Sequence, residues 1–530
     1  MRNVGCFVSL GEHGREVSLA RARGRAWTKC RILSPGAADV VRLCPMSPMP
    51  SVSYSITIRL EFAARSAAVS DITSRIEQRD ATVTALDVSA SGPERMRADI
   101  TVLTAGHDHA MQVVDELRGL EGVELGKVSD RTFLAHLGGK LTVQSKLPIR
   151  HRDDLSMIYT PGVARVVKAI AENPEDARRL TIKRNTVAVV SDGSAILGLG
   201  DLGPLAAMPV MEGKAALFKR FADIDAFPIC LDAHSVDDIV AHVKAIAPVF
   251  AGINLEDISA PRCFEIEDRL RAELDIPVFH DDQHGTAIVV VAALRNALRV
   301  VDKSIETARI VLSGAGAAGT AILRLLRAAG ARDIVVTDID GIVHEGRQQL
   351  AGRLAWIAEV TNPREITGSL SDAVKDADVF IGVSAGNILS AEDVATMAER
   401  SVVFAMANPT PEIDPAEAVK HAEVVATGRS DFANQINNVL AFPGVFRGLL
   451  DAHATRVSDR MLLAAAKALA DVVTSEELNP TYIVPSVFHE GVTKAVASAV
   501  EQVAREEAGT VDTITGTMTA VYADEITLEG

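Results

Sequence analysis

The sequence predicts an α/β fold, and three observations point there. Short apolar runs alternate with helical stretches through most of the chain. Aromatic residues make up only 4% of the 530 residues against 48% hydrophobic, so the core is built mainly from small aliphatic side chains that suit helix-on-sheet packing. One apolar run leads straight into a glycine-rich turn and a helix, in "ARIVLSGAGAAGTAILRLLRAAG".

Taken in order, residues 1–50 are basic where the rest is acidic. They carry Arg2, Arg15, Arg21, Arg23, Arg25, Lys29, Arg31 and Arg42 against Glu12, Glu16 and Asp39, with no clear period. "CPMSPMPSVS" then reads as a Pro/Ser linker. The stretch is expected to be a disordered extension, or to precede a true start near Met46 or Met49.

Residues 52–135 form a unit of their own. "SYSITIRLEF" alternates like a strand, "SAAVSDITSRIEQRD" has helical spacing, and "ATVTALDVSA" and "RMRADITVLT" alternate again around a "SGPE" turn. "HDHAMQVVDELRGLEG" is helical and "VELGKVSDRTF" is a last strand. The order βαββαβ is that of a ferredoxin-like fold. It resembles an ACT domain, a small regulatory module, which implies a small-molecule effector.

From about residue 140 strands and helices alternate. The strands are "NTVAVVSD", "DAFPICLD", "APVFAGINLED", "IPVFHDD", "ARIVLSGAG", "DIVVTDID", "ADVFIGVS", "SVVFAMANP" and "EVVATG", a layout of mostly parallel sheet. The expected domains are 140–295 and 296–505, with a tail at 506–530.

Composition excludes some partners. A net charge of −16 argues against nucleic acid, which needs clustered Lys and Arg. Five cysteines without a CxxC pattern suit a reducing compartment, the cytoplasm. No apolar run approaches the ~20 residues of a membrane helix, and Glu12, His13, Arg15 and Glu16 interrupt any signal-peptide core.

The glycine turn predicts a Rossmann-type dinucleotide-binding domain. In Gly314-Ala315-Gly316-Ala317-Ala318-Gly319 the first glycine permits the tight turn, the second lets the backbone approach a pyrophosphate, and the third packs helix on strand. "DIVVTD" ends in Asp338, placed to bond a ribose 2′-hydroxyl. Asp340 follows, and no Lys or Arg appears until Arg347. Two acids would repel a 2′-phosphate, so NAD is expected over NADP.

Two acidic pairs end apolar runs: Glu256-Asp257 in "AGINLEDISAP" and Asp281-Asp282 in "IPVFHDDQHGTA". Adjacent side chains of a strand point to opposite faces, so both members of a pair reach one ion only where the strand has become a loop. Carboxylates without Cys or His at ligand spacing suit a hard cation, Mg²⁺ or Mn²⁺. "MIYTPGVARVV" places Tyr159 before a Pro-Gly turn, and "PVMEGKAALFKRF" places Lys214 on a helix after "GLGDLGP". A buried Lys beside a cation can have a depressed pKa and serve as a base, and a Tyr can donate a proton to an enol.

Together, "YTPGVA", "GLGDLG", "MEGKAALFK", "NLEDISAP", "FHDDQHGTA", "GAGAAG", "ANPTPEI" and "NNVLAFPGVFRG" resemble the bacterial branch of the malic enzyme family, in that family's order, over about residues 140–500. The resemblance implies oxidative decarboxylation of L-malate to pyruvate with NAD; the alternative is a malolactic-type lyase that retains NAD. It implies Lys214 as base, Tyr159 as the acid at C3, Asp281 orienting the lysine, and Glu256, Asp257 and Asp282 holding the metal. Asn408, with Asn437 or Asn438, would position substrate and nicotinamide. A homo-oligomer, a dimer, is implied too. One departure stands out: where animal members carry an Arg that touches substrate, this chain has Ser194 and Ala195.

Overall fold

The computed structural model describes residues 50–64, 68–348 and 350–509, and the backbone of three short strands, Phe7–Leu10, Glu16–Ala20 and Thr28–Arg31, paired antiparallel. Most of the expected extension and tail lies outside the described residues. The chain divides into two compact units, Met1–Leu134 and Ala135–Gly530.

In the first unit, strands Ser51–Ala63, Thr82–Ser91, Arg95–Thr104 and Val123–Asp130 form one antiparallel sheet. The first and third of these strands are central and the second and fourth lie at the edges, the ferredoxin-like order. Ile56, Ile58, Leu60 and Phe62 recur at every second position and are buried against Ile72 and Ile76 of helix Ala68–Gln78 and Val113 and Leu117 of helix His107–Arg118. The last strand stops at Asp130 rather than running to Phe133. Asp130 Oδ1 accepts hydrogen bonds from Thr132 N at 2.8 Å and Phe133 N at 3.2 Å, opening a helix over Arg131–His136. That cap outweighs the alternation read in the sequence.

In the second unit there are two parallel sheets. Asp225–Cys230, Thr186–Ser191, Gly252–Leu255 and Val278–His280 lie side by side in that order. Every residue of Thr186–Ser191 is buried, as a central parallel strand requires. The second sheet runs Asp333–Asp338, Arg309–Ser313, Val379–Gly382, Val402–Ala405 and Val424–Thr427, all parallel, with Gly341–Ile342 added antiparallel at the edge.

Helix Thr286–Val300 runs through the boundary expected at 295/296. Its residues Ala287 to Leu294 are all buried, within one apolar core that joins Val187, Val189 and Phe279 of the first sheet to Ile310 and Leu312 of the second. A helix that is apolar all round must sit inside such a core. No described helix is long and apolar enough to cross a membrane.

Candidate active site

Strand register assembles the acidic groups. Gly252–Leu255 and Val278–His280 are neighbours, with Leu255 opposite His280, so Glu256-Asp257 and Asp281-Asp282 leave the carboxyl edge of the sheet together. Asp257 takes a left-handed backbone (φ 52°), a conformation that non-glycine residues adopt at a cost and that is frequent at functional sites. One carboxylate oxygen each from Glu256, Asp257 and Asp282 lies within 4.8 Å of the others. Asp257 N donates to Asp282 Oδ2 at 2.9 Å.

Lys214 enters from helix Pro204–Ala222. Its Nζ lies 2.5 Å from Asp281 Oδ2 and 2.9 Å from Glu256 Oε1, and 4.4 Å from the centre of the Phe442 ring. Asn438 Nδ2 donates to the same Asp281 oxygen, and Asn254 Nδ2 donates to Glu256 Oε2 at 2.9 Å. Asn437 instead caps its own turn, its Oδ1 accepting from Val439 N at 3.0 Å. Of the two asparagines, Asn438 is thus the one bonded to the acidic cluster.

The electrostatics are those of a site short of positive charge. Burial raises the pKa of Glu256 well above its ordinary value, and Asp282, Asp281 and Asp257 add to the rise against the pull of Lys214. Burial, then Asp282, push Asp257 up to about 7. Burial also raises Asp281, against Lys214. For Lys214 burial opposes the charge, but Asp281 and Glu256 overcome it and hold the ammonium above its ordinary value. The depressed lysine expected from the sequence is therefore not what these side chains produce by themselves. Asp257 Oδ2 and Asp281 Oδ1 are buried without a hydrogen-bond partner among the described residues. Three convergent carboxylates, one of which carries a buried oxygen without a partner among the described residues, fit a hard divalent cation.

The cluster forms one wall of a cavity of about 760 Å³. Ala317, Ala318, Ser384, Asn408, Asn437 and Asn438 line it as well. Gly314 (φ 116°) makes the tight turn after strand Arg309–Ser313, and a Cβ on Gly319 would stand 1.8 Å from Gly314 O, so only glycine lets the helix start so close to the strand. Asp338 lies at the end of the neighbouring strand, outside the cavity lining, and bonds Arg347.

Tyr159, like Asp338, is a predicted residue that does not line this cavity. It follows helix Arg152–Ile158 and is 67% exposed.

Three supporting groups were not anticipated. Glu412, from "ANPTPEI", accepts from Ser384 N at 3.1 Å and Ala407 N at 3.0 Å, tying together two loops that line the cavity. Glu267 is buried beneath the Asp281–Gly285 turn, where His284 Nε2 lies 2.6 Å from its Oε1 and Gln283 Nε2 donates to its Oε2 at 3.0 Å. Arg262, bonded to Asp192 at 2.8 Å and to Ser259 Oγ at 3.3 Å, stands close to Ser194, whose Oγ accepts from Ser259 N. A single charged residue on a helix gives no sequence signal of such partners. Only Glu412 lay in a motif already singled out.

Known proteins resemble this chain in sequence and fold. The family model for the malic enzyme N-terminal domain matches residues 138–271, and that for the malic enzyme NAD binding domain matches 283–505. The chain is 56% identical over 454 residues to the NAD-dependent malic enzyme of Geobacillus stearothermophilus, covering 85% of this chain and 95% of that one. It is 53% identical over 370 residues to the bifunctional malic/malolactic enzyme of Bacillus subtilis (strain 168), covering 69% of this chain and 90% of the other. Among solved structures, the malic enzyme of Pyrococcus horikoshii Ot3 aligns with a TM-score of 0.68 at 48% identity, covering 70% of this chain and 88% of its own. The NAD-dependent malic enzyme of Thermotoga maritima gives a TM-score of 0.68 at 48% identity, covering 70% and 99%. With the two family models together matching well over half of the chain, and a relative 56% identical over 85% of it, the chain belongs to the malic enzyme family.

Proposed function

We propose that the chain is a cytoplasmic NAD-dependent malic enzyme that converts L-malate to pyruvate and CO₂ and needs Mg²⁺ or Mn²⁺. The observation that carries this is a buried lysine bonded to two carboxylates beside a three-carboxylate cluster, at the mouth of a dinucleotide cleft. When bound, the cation supplies Lewis-acid polarisation of the substrate oxygens and the nicotinamide accepts the hydride.

The chain's own residues do the rest. Lys214, as the neutral amine that a cation bound to the neighbouring carboxylates would favour, takes the proton of the C2 hydroxyl; Asp281 holds its Nζ in place, and Asn438 donates to that same Asp281 oxygen. Glu256, Asp257 and Asp282 hold the cation. Asn408 and Asn438 orient substrate and nicotinamide from the cavity wall. Tyr159 returns a proton to C3 after CO₂ leaves. Because it is exposed and does not line its own cavity, it acts from a second copy of the chain. Leu155, Met157, Val167, Leu180 and Ile182 on the same segment are exposed, as are Leu197, Leu199, Leu202 and Leu205 around Gly198 at the cavity rim. Apolar surface of this extent suits a homodimer interface.

The ferredoxin-like unit is read as an ACT-like effector module. A second reading of the chemistry, malolactic release of lactate, is favoured by the Bacillus relative whose name includes that activity.

The test is NADH absorbance with L-malate and Mn²⁺, comparing NAD⁺ with NADP⁺ and assaying lactate. NADH growth supports the main reading. Loss of malate with lactate and no NADH selects the lyase. No turnover of malate defeats both.

A further inference from the structure

The adenosine end of the dinucleotide cleft holds an arrangement that the hydride chemistry does not use. Strand Asp333–Asp338 lies beside the glycine-turn strand with Ser313 opposite Thr337, and Gly314 N donates to Thr337 O at 2.8 Å. Asp338 thus sits next to the turn, where the adenosine ribose lies in dinucleotide folds. The chain then turns through Ile339 and Asp340, and Gly341–Ile342 pairs back on Thr337–Asp338. Asp340 N donates to Asp338 Oδ1 at 2.9 Å, fixing the turn.

Arg347 closes on both acids. Its Nη1 donates to Asp338 Oδ1 at 2.9 Å and its Nη2 to Asp340 Oδ2 at 2.8 Å. The Arg347 and Asp338 side chains are each 15% exposed, whereas Asp340 is 73% exposed. Both bonds to Asp338 end on Oδ1, and among the described residues nothing bonds Oδ2, which leaves it for a ribose hydroxyl.

A 2′-phosphate needs a cation, and the arginine fork is the side chain best shaped to hold one. Here that fork stands beside the ribose position but is already engaged. Asp338 has a second task, the ribose. Asp340 has no other described side-chain bond than the one to Arg347. Its position in solvent also makes it dispensable for folding.

We propose that Asp340 is a coenzyme-specificity residue: the Asp338–Arg347–Asp340 clamp withholds Arg347 from a 2′-phosphate, so the cleft prefers the dinucleotide without one. The proposal rests on the dinucleotide-binding reading above and deepens it. It differs from simple repulsion by two acids, because it assigns the latent phosphate ligand to Arg347 and its release to Asp340.

Calorimetric titration of the full chain with 5′-AMP and 2′,5′-ADP, which differ only by the 2′-phosphate, tests it. In Asp340→Asn, which keeps shape and removes charge, 2′,5′-ADP should bind about tenfold tighter, the worth of one freed charge-assisted hydrogen bond. 5′-AMP binding should stay nearly unchanged. Adding Arg347→Gln to Asp340→Asn should cancel the gain, and raising salt should shrink it. kcat/KM with NADP⁺ should follow the same order. Unchanged 2′,5′-ADP binding in Asp340→Asn, or a gain that survives Arg347→Gln, overturns the clamp alone. Failure of wild-type protein to bind either nucleotide or NADH overturns the dinucleotide reading and the clamp with it.

Discussion

Lys214 Nζ lies 2.5 Å from Asp281 Oδ2 and 2.9 Å from Glu256 Oε1, with all three side chains under a tenth exposed. One ammonium shared between two buried carboxylates fixes the lysine tip to within a bond length. It also makes the lysine structurally indispensable, because removing one partner strands the others.

That double role separates two substitutions. Lys214→Ala leaves Asp281 and Glu256 unpaired and should cost about 3–5 kcal/mol of stability. Lys214→Arg keeps the charge but cannot surrender a proton, so it should unfold close to wild type while kcat falls roughly 10²–10⁴-fold. Near-normal turnover in Lys214→Arg would exclude the lysine as base.

The acidic cluster predicts a stability response to metal. Glu256, Asp257 and Asp282 repel one another, and a cation that binds only the folded chain stabilises it by about 2.7 kcal/mol at a hundred times its dissociation constant. Thermal unfolding should shift upward with Mn²⁺ and return with chelator. Asp257→Asn should lose most of the shift; an undiminished shift in that variant would place the ion elsewhere.

Tyr159 predicts complementation between inactive proteins. Lys214→Arg and Tyr159→Phe homodimers should each be nearly inactive. If Tyr159 serves the neighbour's site, a heterodimer of the two carries one intact site, and random exchange should restore roughly a quarter of wild-type activity. No recovery after exchange, checked by tagged co-purification, means that Tyr159 acts within its own chain or not at all.

Glu267 predicts an acid-sensitive contribution. Burial works against its charge, but His284 overcomes this and holds the carboxyl down to about 2. Its ordinary value is near 4.3, so the folded pKa is depressed. The stabilisation, of the order of 3 kcal/mol, is complete above about pH 5 and is lost as pH falls through the folded value near 2. Urea midpoints should drop between pH 5 and pH 3 in wild type and drop less in Glu267→Gln, which starts lower. Parallel slopes would show that the group does not carry the effect.

The N-terminal unit has its own closed core, formed by Ile56, Leu60, Ile72 and Val113 among others. Removing residues 1–135 should therefore spare malate turnover while abolishing any effector response, measured as metabolite-dependent change in KM. Equal sensitivity in full-length and truncated protein refutes the regulatory role.

Much of the fold was legible in the sequence because its signals are local. The period-two alternation of Ile56, Ile58, Leu60 and Phe62 and the strand–glycine–helix run at 309–328 report short-range geometry. The strand at 123 was read three residues too long because a side-chain cap at Asp130 overrides alternation. Helix Thr286–Val300 spans the boundary expected at 295/296 and packs in the core shared by both sheets, which no local pattern records.

The same division holds for the site. By itself the sequence supplied the candidate groups, namely Lys214, Glu256, Asp257, Asp281, Asp282 and the glycine turn, since residue type and motif order are local information. The tertiary structure alone decided the pairings. It set Asp281 on Lys214, bonded Asn438 to Asp281, tied Arg347 to Asp338 and Asp340, and left Tyr159 at the surface. Pairing depends on strand order, register and burial across as many as 157 positions, as between Asp281 and Asn438, and on the balance of buried charge that they create. No spacing along the chain encodes that balance.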